Sequence, residues 1–343
     1  MNVPIKTLSP ARFWTAISLF AIFLLACLAI APIFGSVKID IFRAFDFSIP
    51  LADNSDRFVL FTTRIPRVVL AMVVGASLAL SGAAMQALLR NPLASPFTLG
   101  VASGGTLGAA LALTTGIGAT IFKVPGTVLG SFIFSLITVG LVWSLAWRRG
   151  RLPTGLLLLA GVSVNFLFGA LVMLLHYFSD FTQSYALVRW MMGSLDTVGY
   201  DSVWGVAPFL LIAAIIFIVN ARAFNLLALG DDAARAAGAD VRRLGIMGFI
   251  TSGLLAGAAV SQVGPIGFVG LIVPHAVRLL VGPDYRLVIP GSILAGGGFL
   301  VLCDLVSRTV MPPIDLPPGI ITALLGAPFF LSLIKSSARE IAV

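Results

Sequence analysis

The sequence predicts an all-α, polytopic membrane protein of about ten transmembrane helices in one bundle, and three observations carry that reading. The chain is 59% hydrophobic and only 10% charged, whereas an ordinary soluble domain is about 25% charged. Val68–Leu89 and Asn91–Phe122 contain no Asp, Glu, Lys or Arg, and an apolar run of about 18 residues or more is long enough to cross a bilayer core as a helix. Between them, Arg90-Asn91-Pro92-Leu93-Ala94-Ser95-Pro96 forms a charged, proline-broken turn. A chain made of such runs can satisfy its backbone polar groups in lipid only within each helix. No hydrophilic block interrupts the pattern, so residues 1–343 read as a single transmembrane domain.

Taken in order, the first span covers about 13–34 behind Lys6 and Arg12. Ala29-Ile30-Ala31 resembles a signal cleavage site, but a signal core is about 7–15 apolar residues. This run stays uncharged to Val37, so an uncleaved span is expected. The second span, 66–89, opens at Pro66, and the third, 97–115, starts beyond the proline-rich turn. The fourth, 125–147, ends at Arg148-Arg149-Gly150-Arg151, and the fifth and sixth cover 154–176 and 202–220. Leu244–Val277 is too long for one span, and Gly264-Pro265 would break a helix there. The break gives a seventh span at 243–262 and an eighth at 265–282, followed by 287–307 and 319–335.

Small residues predict where these helices meet. Gly75, Ala79, Gly82 and Ala83 form one face on the second span, with Gly253, Gly257 and Ala258 on the seventh and Gly296, Gly297 and Gly298 on the ninth. In lipid, close backbone approach drives helix association, so these faces are read as packing seams. Gly82-Ala83-Ala84-Met85-Gln86 is faintly echoed by Gly257-Ala258-Ala259-Val260-Ser261-Gln262, each followed by an Xaa-Pro break. Spans crossing in opposite directions with such an echo suggest an inverted repeat between the halves.

Lys and Arg accumulate on the cytoplasmic side of membrane proteins. Placing both termini inside puts Lys6, Arg12, Arg90, the Arg148–Arg151 cluster, Arg235, Arg242 and Arg243 there, and leaves Arg64, Arg67, Arg189 and Arg308 outside. Trp14, Trp143, Trp147 and Trp204 fall near span ends, where an amphipathic ring prefers the interface. The net charge of +8 is therefore a matter of topology, since the basic residues form no stripe that could track nucleic acid.

Several chemistries are excluded. No G-x-x-x-x-G-K-[ST] phosphate loop occurs, so ATP hydrolysis by that route is absent. His176 and His275 stand alone, and Cys27 and Cys303 lie inside apolar runs, so neither a metal site nor a cofactor is expected. His176 reads as interfacial and His275 as buried and hydrogen-bonded. A membrane enzyme would need a clustered acid, base or nucleophile. An ion-coupled secondary transporter would need carboxylates at mid-span, and Asp304, the nearest case, lies near a span end with Arg308 one turn on.

Two polar features remain. In Asn225–Leu244, Asp231 and Asp232 can cap a short helix ending at Gly238, and Asp240 can start another, so the segment reads as a rigid cytoplasmic docking knob. Arg64 and Arg67, separated by Ile65-Pro66, begin the second span on the outer side, and Arg308 closes the ninth.

With these residues in place the chain resembles the permease subunits of type II ABC importers for iron chelates, haem and cobalamin, the FecCD family. The matching stretches are Arg64-Ile65-Pro66-Arg67, Gly82–Gln86, Arg90–Pro96, Leu157–Val162, Gly264–Leu271, Pro274-His275 with Arg278, Leu316–Gly319 and Gly326-Ala327-Pro328. They run in order along nearly the whole chain, while the first span and Gly35–Thr63 match poorly. The resemblance implies a ten-helix permease that pairs with a second permease subunit, identical or not, and with two cytoplasmic ATPase subunits. A periplasmic or lipid-anchored binding protein would deliver the cargo across a bacterial inner or plasma membrane. It assigns coupling to Leu229, Gly230, Asp231, Asp232, Ala233, Arg235, Gly238 and Arg242, and binding-protein docking to Arg64, Arg67 and Arg308. Gates and pathway fall to Asn91, Leu93, Thr154, Gly155, Asn165 and Met173. The expected cargo is a bulky chelate, a ferric siderophore before haem or cobalamin.

Overall fold

A computed structural model describes residues 9–50, 53–116, 120, 124–148 and 153–341, with side chains to 332. The described residues contain helices and turns and no strand. Each expected span has a helix. Seven stretches are long and apolar enough to cross a membrane, and Val101–Thr115, Val269–Val281 and Pro318–Ser332 are shorter apolar helices. The chain is a multi-pass membrane protein.

α1 (Pro10–Ile30) starts with proline at its first position behind a Ser9 cap, where a missing N–H costs nothing. α2 (Ile41–Ala44) and α3 (Ser55–Phe58) are single turns capped by Asp40 and Asn54. A π-helical stretch, Val59–Arg64, then runs straight into α4 (Ile65–Leu89). α4 is buried along almost its whole length. It stops at Arg90, whose φ of 49° is left-handed. Asn91 then accepts from Leu93 N–H at 2.9 Å, and a reciprocal Ser95–Thr98 capping box opens a short 3-10 turn. α5 (Val101–Thr115), α6 (Gly126–Ala146) and α7 (Thr154–Phe178) follow.

α8 (Phe181–Met191) lies in what the sequence left as a loop, behind a capping box of Asp180 and Gln183. α9 (Asp201–Val219) is followed by α10 (Ala221–Ala228) and α11 (Asp231–Ala236), and then by α12 (Val241–Val263). The break at Gly264, φ 73°, falls where expected. The third and eighth spans start later than predicted, at Val101 and at Val269 of α13 (Val269–Val281). α14 (Tyr285–Thr309) and α15 (Pro318–Ile341) complete the chain.

The knob between α9 and α12 differs from expectation. Its two short helices are α10 and α11, whereas Asp240 caps the long α12 directly, accepting from Arg243 N–H at 2.9 Å. Gly230, not an aspartate, precedes α11. Asp231 and Asp232 sit in its first turn, where a carboxylate favours the helix dipole.

α4 is the hub, packed on α14, α12, α13 and α9. The glycine seams are as read. A Cβ on Gly75 would lie 2.3 Å from the Gly296 carbonyl oxygen, and one on Gly82 would lie 1.8 Å from that of Gly270. Backbone touches backbone there, which supplies the dispersion contact that replaces a hydrophobic drive in lipid. The order of contacts makes α4 antiparallel to both long neighbours: Arg67 meets Asp304 and Gly75 meets Gly296, while Ser81 meets Ser252 and Leu88 meets Gly248. The two echoed glycine segments thus lie on contacting helices that cross in opposite senses.

Candidate functional site

The antiparallel pair α4 and α14 carries charge at both ends. At one end, the first turn of α4 turns Arg67 toward α14. Its Nε donates to Asp304 Oδ1 at 2.8 Å, and its Nη1 to Asp196 Oδ1 at 2.6 Å and Asp315 Oδ2 at 2.9 Å. One turn beyond Asp304, Arg308 Nε stands 2.9 Å from Asp304 Oδ2, a charge contact whose N–H is not aimed along the line. The Asp304 side chain is only 1% exposed, against 11% for Arg67, 30% for Asp315 and 51% for Asp196. Burying such charges is tolerable only because each is paired.

Arg308 also reaches the C-cap carbonyl of α1, and with Arg64 it holds the turn that follows. The last carbonyls of a helix have no partner inside it. Arg308 donates to Ala31 O at 3.2 Å and Phe34 O at 3.0 Å. Arg64 donates to Pro32 O at 3.1 Å, Ile33 O at 2.9 Å and Val37 O. Arg64, Arg67 and Arg308, the residues the resemblance assigns to docking, are all engaged within the chain. Arg64 and Arg308 are buried on backbone carbonyls between residues 31 and 37, and Arg67 is shared among three carboxylates. Two cavities flank the knot. One of about 400 Å³ is lined by Arg64, Arg67, Asp196, Arg308 and Asp315. One of about 620 Å³ is lined by Arg67, Tyr185, Arg189, Asp196 and Asp315–Pro318.

At the opposite end, α10 sinks Phe224 and Leu227 into the bundle, with the Phe224 ring 5.7 Å from Phe217 and 6.3 Å from Tyr285. Asn225 bolts it to the start of α14, donating to Asp284 Oδ1 at 2.7 Å and accepting from Tyr285 N–H at 2.7 Å. Burial would raise the Asp284 carboxyl, but hydrogen bonds from Arg286 and Asn225, with the Arg286 charge, hold it below the usual carboxylate range. Arg90 reaches Asp231 at 3.3 Å, which ties α11 to the foot of α4. Leu229, Asp232, Ala233, Arg235, Gly238 and Arg242 are exposed, while Ala234 is fully buried. Gly238 holds φ 84° with open space around it. Arg242 lies over Trp147 at 5.5 Å, and Trp147 stacks on Trp143.

The remaining predicted residues fall as follows. Leu93 is 55% exposed, Asn91 is half-buried in its turn, and Thr154 and Gly155 start α7 at the same end. Met173 is 75% exposed on the open face of α7. Asn165 instead donates to Phe97 O at 3.4 Å, pinning α7 to the 3-10 turn. Arg149 and Arg151 lie outside the described residues. His275 is corrected: it packs edge-on to Phe329, and its Nδ1 has no hydrogen-bond partner among the described residues. One functional grouping was missed. Gln86 accepts from Arg278 Nη2 at 2.7 Å and donates to Gly270 O and Leu271 O at 3.4 and 3.3 Å, which clamps α13 to α4. The signal was an amide inside an apolar run. Among the described residues, no group of three or more His, Cys, Asp or Glu could hold a metal ion.

The FecCD transport family model matches residues 21–336.

The chain belongs to the FecCD transport family.

Relatives include the cobalamin import system permease protein BtuC of Halobacterium salinarum, 41% identical over 296 residues (86% of this chain, 77% of that one). The hemin transport system permease protein HmuU of Yersinia pestis is 39% identical over 279 residues (81% and 83%). A solved metal-chelate type ABC transporter in an inward-facing conformation superposes with TM-score 0.83 at 31% identity, covering 94% of this chain and all of that one. PsaBC of Streptococcus pneumoniae, at 17% identity and TM-score 0.53, shares the fold. This FecCD chain is an ABC transporter permease.

Proposed function

We propose that the chain is the membrane-spanning permease of a type II importer, carrying a bulky metal chelate inward by alternating access. The observation that carries this is the placement of a carboxylate-binding arginine knot and a bolted helical knob at opposite ends of α4 and α14. In this reading the knob end is cytoplasmic and both termini lie inside a bacterial inner or plasma membrane. A second permease copy or homologue completes the path. A binding protein docks at the Arg67 end, and two ATPase subunits sit on α10 and α11.

The chain itself breaks no bond. Nucleotide binding and hydrolysis in the ATPases displace the knob, and the Asn225 and Arg90 ties pass that displacement to α14 and α4. Leu93 and Thr154 with Gly155 close the inner mouth, and Met173 faces the path. Lining of this kind suits a large cargo that must not be held tightly, since deep binding would slow its release.

For cargo, relatives whose names carry cobalamin and hemin move the weight from the ferric siderophore, which the sequence put first, to those two chelates. The test is uptake of cyanocobalamin, haem and a ferric siderophore into proteoliposomes holding the permease, its ATPase and its binding protein. ATP-dependent uptake of one of them is expected. Uptake driven by an ion gradient without ATP would replace this reading with a secondary transporter.

A further inference from the structure

We propose that Asp196 and Asp315 are internal stand-ins for the carboxylates of the docking protein, so that docking is an exchange of partners at Arg67 rather than the filling of an open site. The inference rests on the proposed docking role of this end of the molecule.

A guanidinium has five N–H donors in a fixed fork, and here Nε of Arg67 is spent on buried Asp304. Nη1 alone serves both Asp196 and Asp315. Those two carboxylates approach from separate loops and are far more exposed than Asp304, at 51% and 30% against 1%. They meet between the two cavities, both of which are lined by Arg67, Asp196 and Asp315. An incoming carboxylate that takes Nη1 displaces one of the two, whichever cavity it comes through, while Nη2 has no protein partner among the described residues. The Asp304 contact would hold Arg67 in place meanwhile. Arg189, 65% exposed and 3.7 Å from Asp196, stands ready to take that aspartate once it is released.

The exchange has a structural consequence, because both loops lead to α15. Asp315 lies three residues before Pro318, where α15 begins, and Leu316 N–H holds this segment to Ser307 O at 3.0 Å. Asp196 sits on the loop from Gly193, and a Cβ on Gly319 would lie 2.3 Å from Met192 O and 3.4 Å from Pro265 O. The first turn of α15, the α8–α9 loop and the α12–α13 break therefore touch backbone to backbone beneath the knot. With Asp196 and Asp315 on Arg67, the three are held together. With a partner's carboxylate there instead, the start of α15 is unlatched, and docking is read out on that helix.

The test measures affinity of the purified binding protein for the reconstituted transporter, with the binding protein defined as the one that stimulates its ATPase. The variants are Asp196→Asn with Asp315→Asn, and separately Arg67→Gln. Asn keeps the shape of Asp but withdraws the competing charge. Exchange predicts that the double variant binds the docking protein at least about fivefold more tightly, and that an impermeant maleimide labels a cysteine at Leu316 faster in it without any partner. Arg67→Gln weakens docking by tenfold or more. A double variant with unchanged or weaker docking, while Arg67→Gln still weakens it, overturns the exchange and leaves the docking role standing. Unchanged affinity in Arg67→Gln of verified fold overturns the docking role itself. Labelling at Leu316 that does not change in the double variant overturns the latch to α15.

Discussion

The two ends of the α4–α14 pair are held by the same chemistry used in opposite ways. At the Arg67 end the inner ions are sunk in protein, with Asp304 1%, Arg308 4% and Arg67 11% exposed. At the Arg90 end the ties are open: Arg90 and Asp231 are 42% and 43% exposed, and Asp232 is 99% exposed. A buried pair is costly to break because it strands an uncompensated charge, whereas an exposed pair is worth about 0.2–1 kcal/mol. The first end is thus built to stay assembled until something of equal charge replaces a partner. At the second end the ion pairs are weak, and its firm points are Asn225 and the apolar plug of Phe224 and Leu227.

This difference sets the order of expected effects. Arg67→Gln should be the most damaging, with a loss of about 3–5 kcal/mol, because buried Asp304 keeps only the misaligned Arg308 contact and Asp315 loses its ion-pair partner. Thermal unfolding of the detergent-solubilised chain reads it, and a loss no larger than that of an exposed pair would show that the knot is not an electrostatic unit. Next comes Asn225→Ala, which removes two hydrogen bonds, one to a carboxylate, at a cost of about 1–3 kcal/mol. If α10 is anchored by its apolar plug alone, that variant will unfold like the parent.

Acid sharpens the comparison further. Asp284 has its folded pKa depressed below the ordinary value of about 3.9. Its contribution is therefore fully present above that value and is lost as pH falls below it toward the folded pKa. Asp284→Asn should flatten the fall in melting temperature below about pH 4, and an identical fall in both proteins would remove Asp284 from the account. Smallest of all, Arg90→Ala should cost at most about 1 kcal/mol, since both partners are well exposed. A larger loss would make the Arg90 end as rigid as the other.

Much of this organisation was legible in the sequence, for a physical reason. Spans announce themselves by charge-free length, so the ten helices, the Gly264 break and the glycine seams all followed from local pattern. Arg12, which donates to Val281 O at 2.9 Å, and Arg242, beside Trp147, lie at the same end of the bundle as Arg90. The knot was not legible. Arg67 is separated in sequence from Asp196, Asp304 and Asp315 by 129, 237 and 248 residues, and no spacing rule joins them. An arginine at a span end looks alike whether it faces water or three hidden carboxylates. α8 was missed although its capping box, Asp180 with Gln183, was there to be read. Its apolar residues are too few to register as a span, and an amphipathic helix beside a membrane leaves no charge-free run.

The central claim is that one end receives a binding protein and the other passes on the work of an ATPase, through the same two helices. It is tested most directly by titrating binding protein against ATPase activity in the reconstituted complex, for Arg67→Gln and Asn225→Ala side by side. The account predicts that Arg67→Gln raises the half-maximal binding-protein concentration about tenfold or more, as loss of roughly 1.4 kcal/mol of docking energy requires. Asn225→Ala should lower the plateau and leave the half-maximal concentration where it was. Two variants that shift the same parameter in the same way would contradict the division of labour between the two ends.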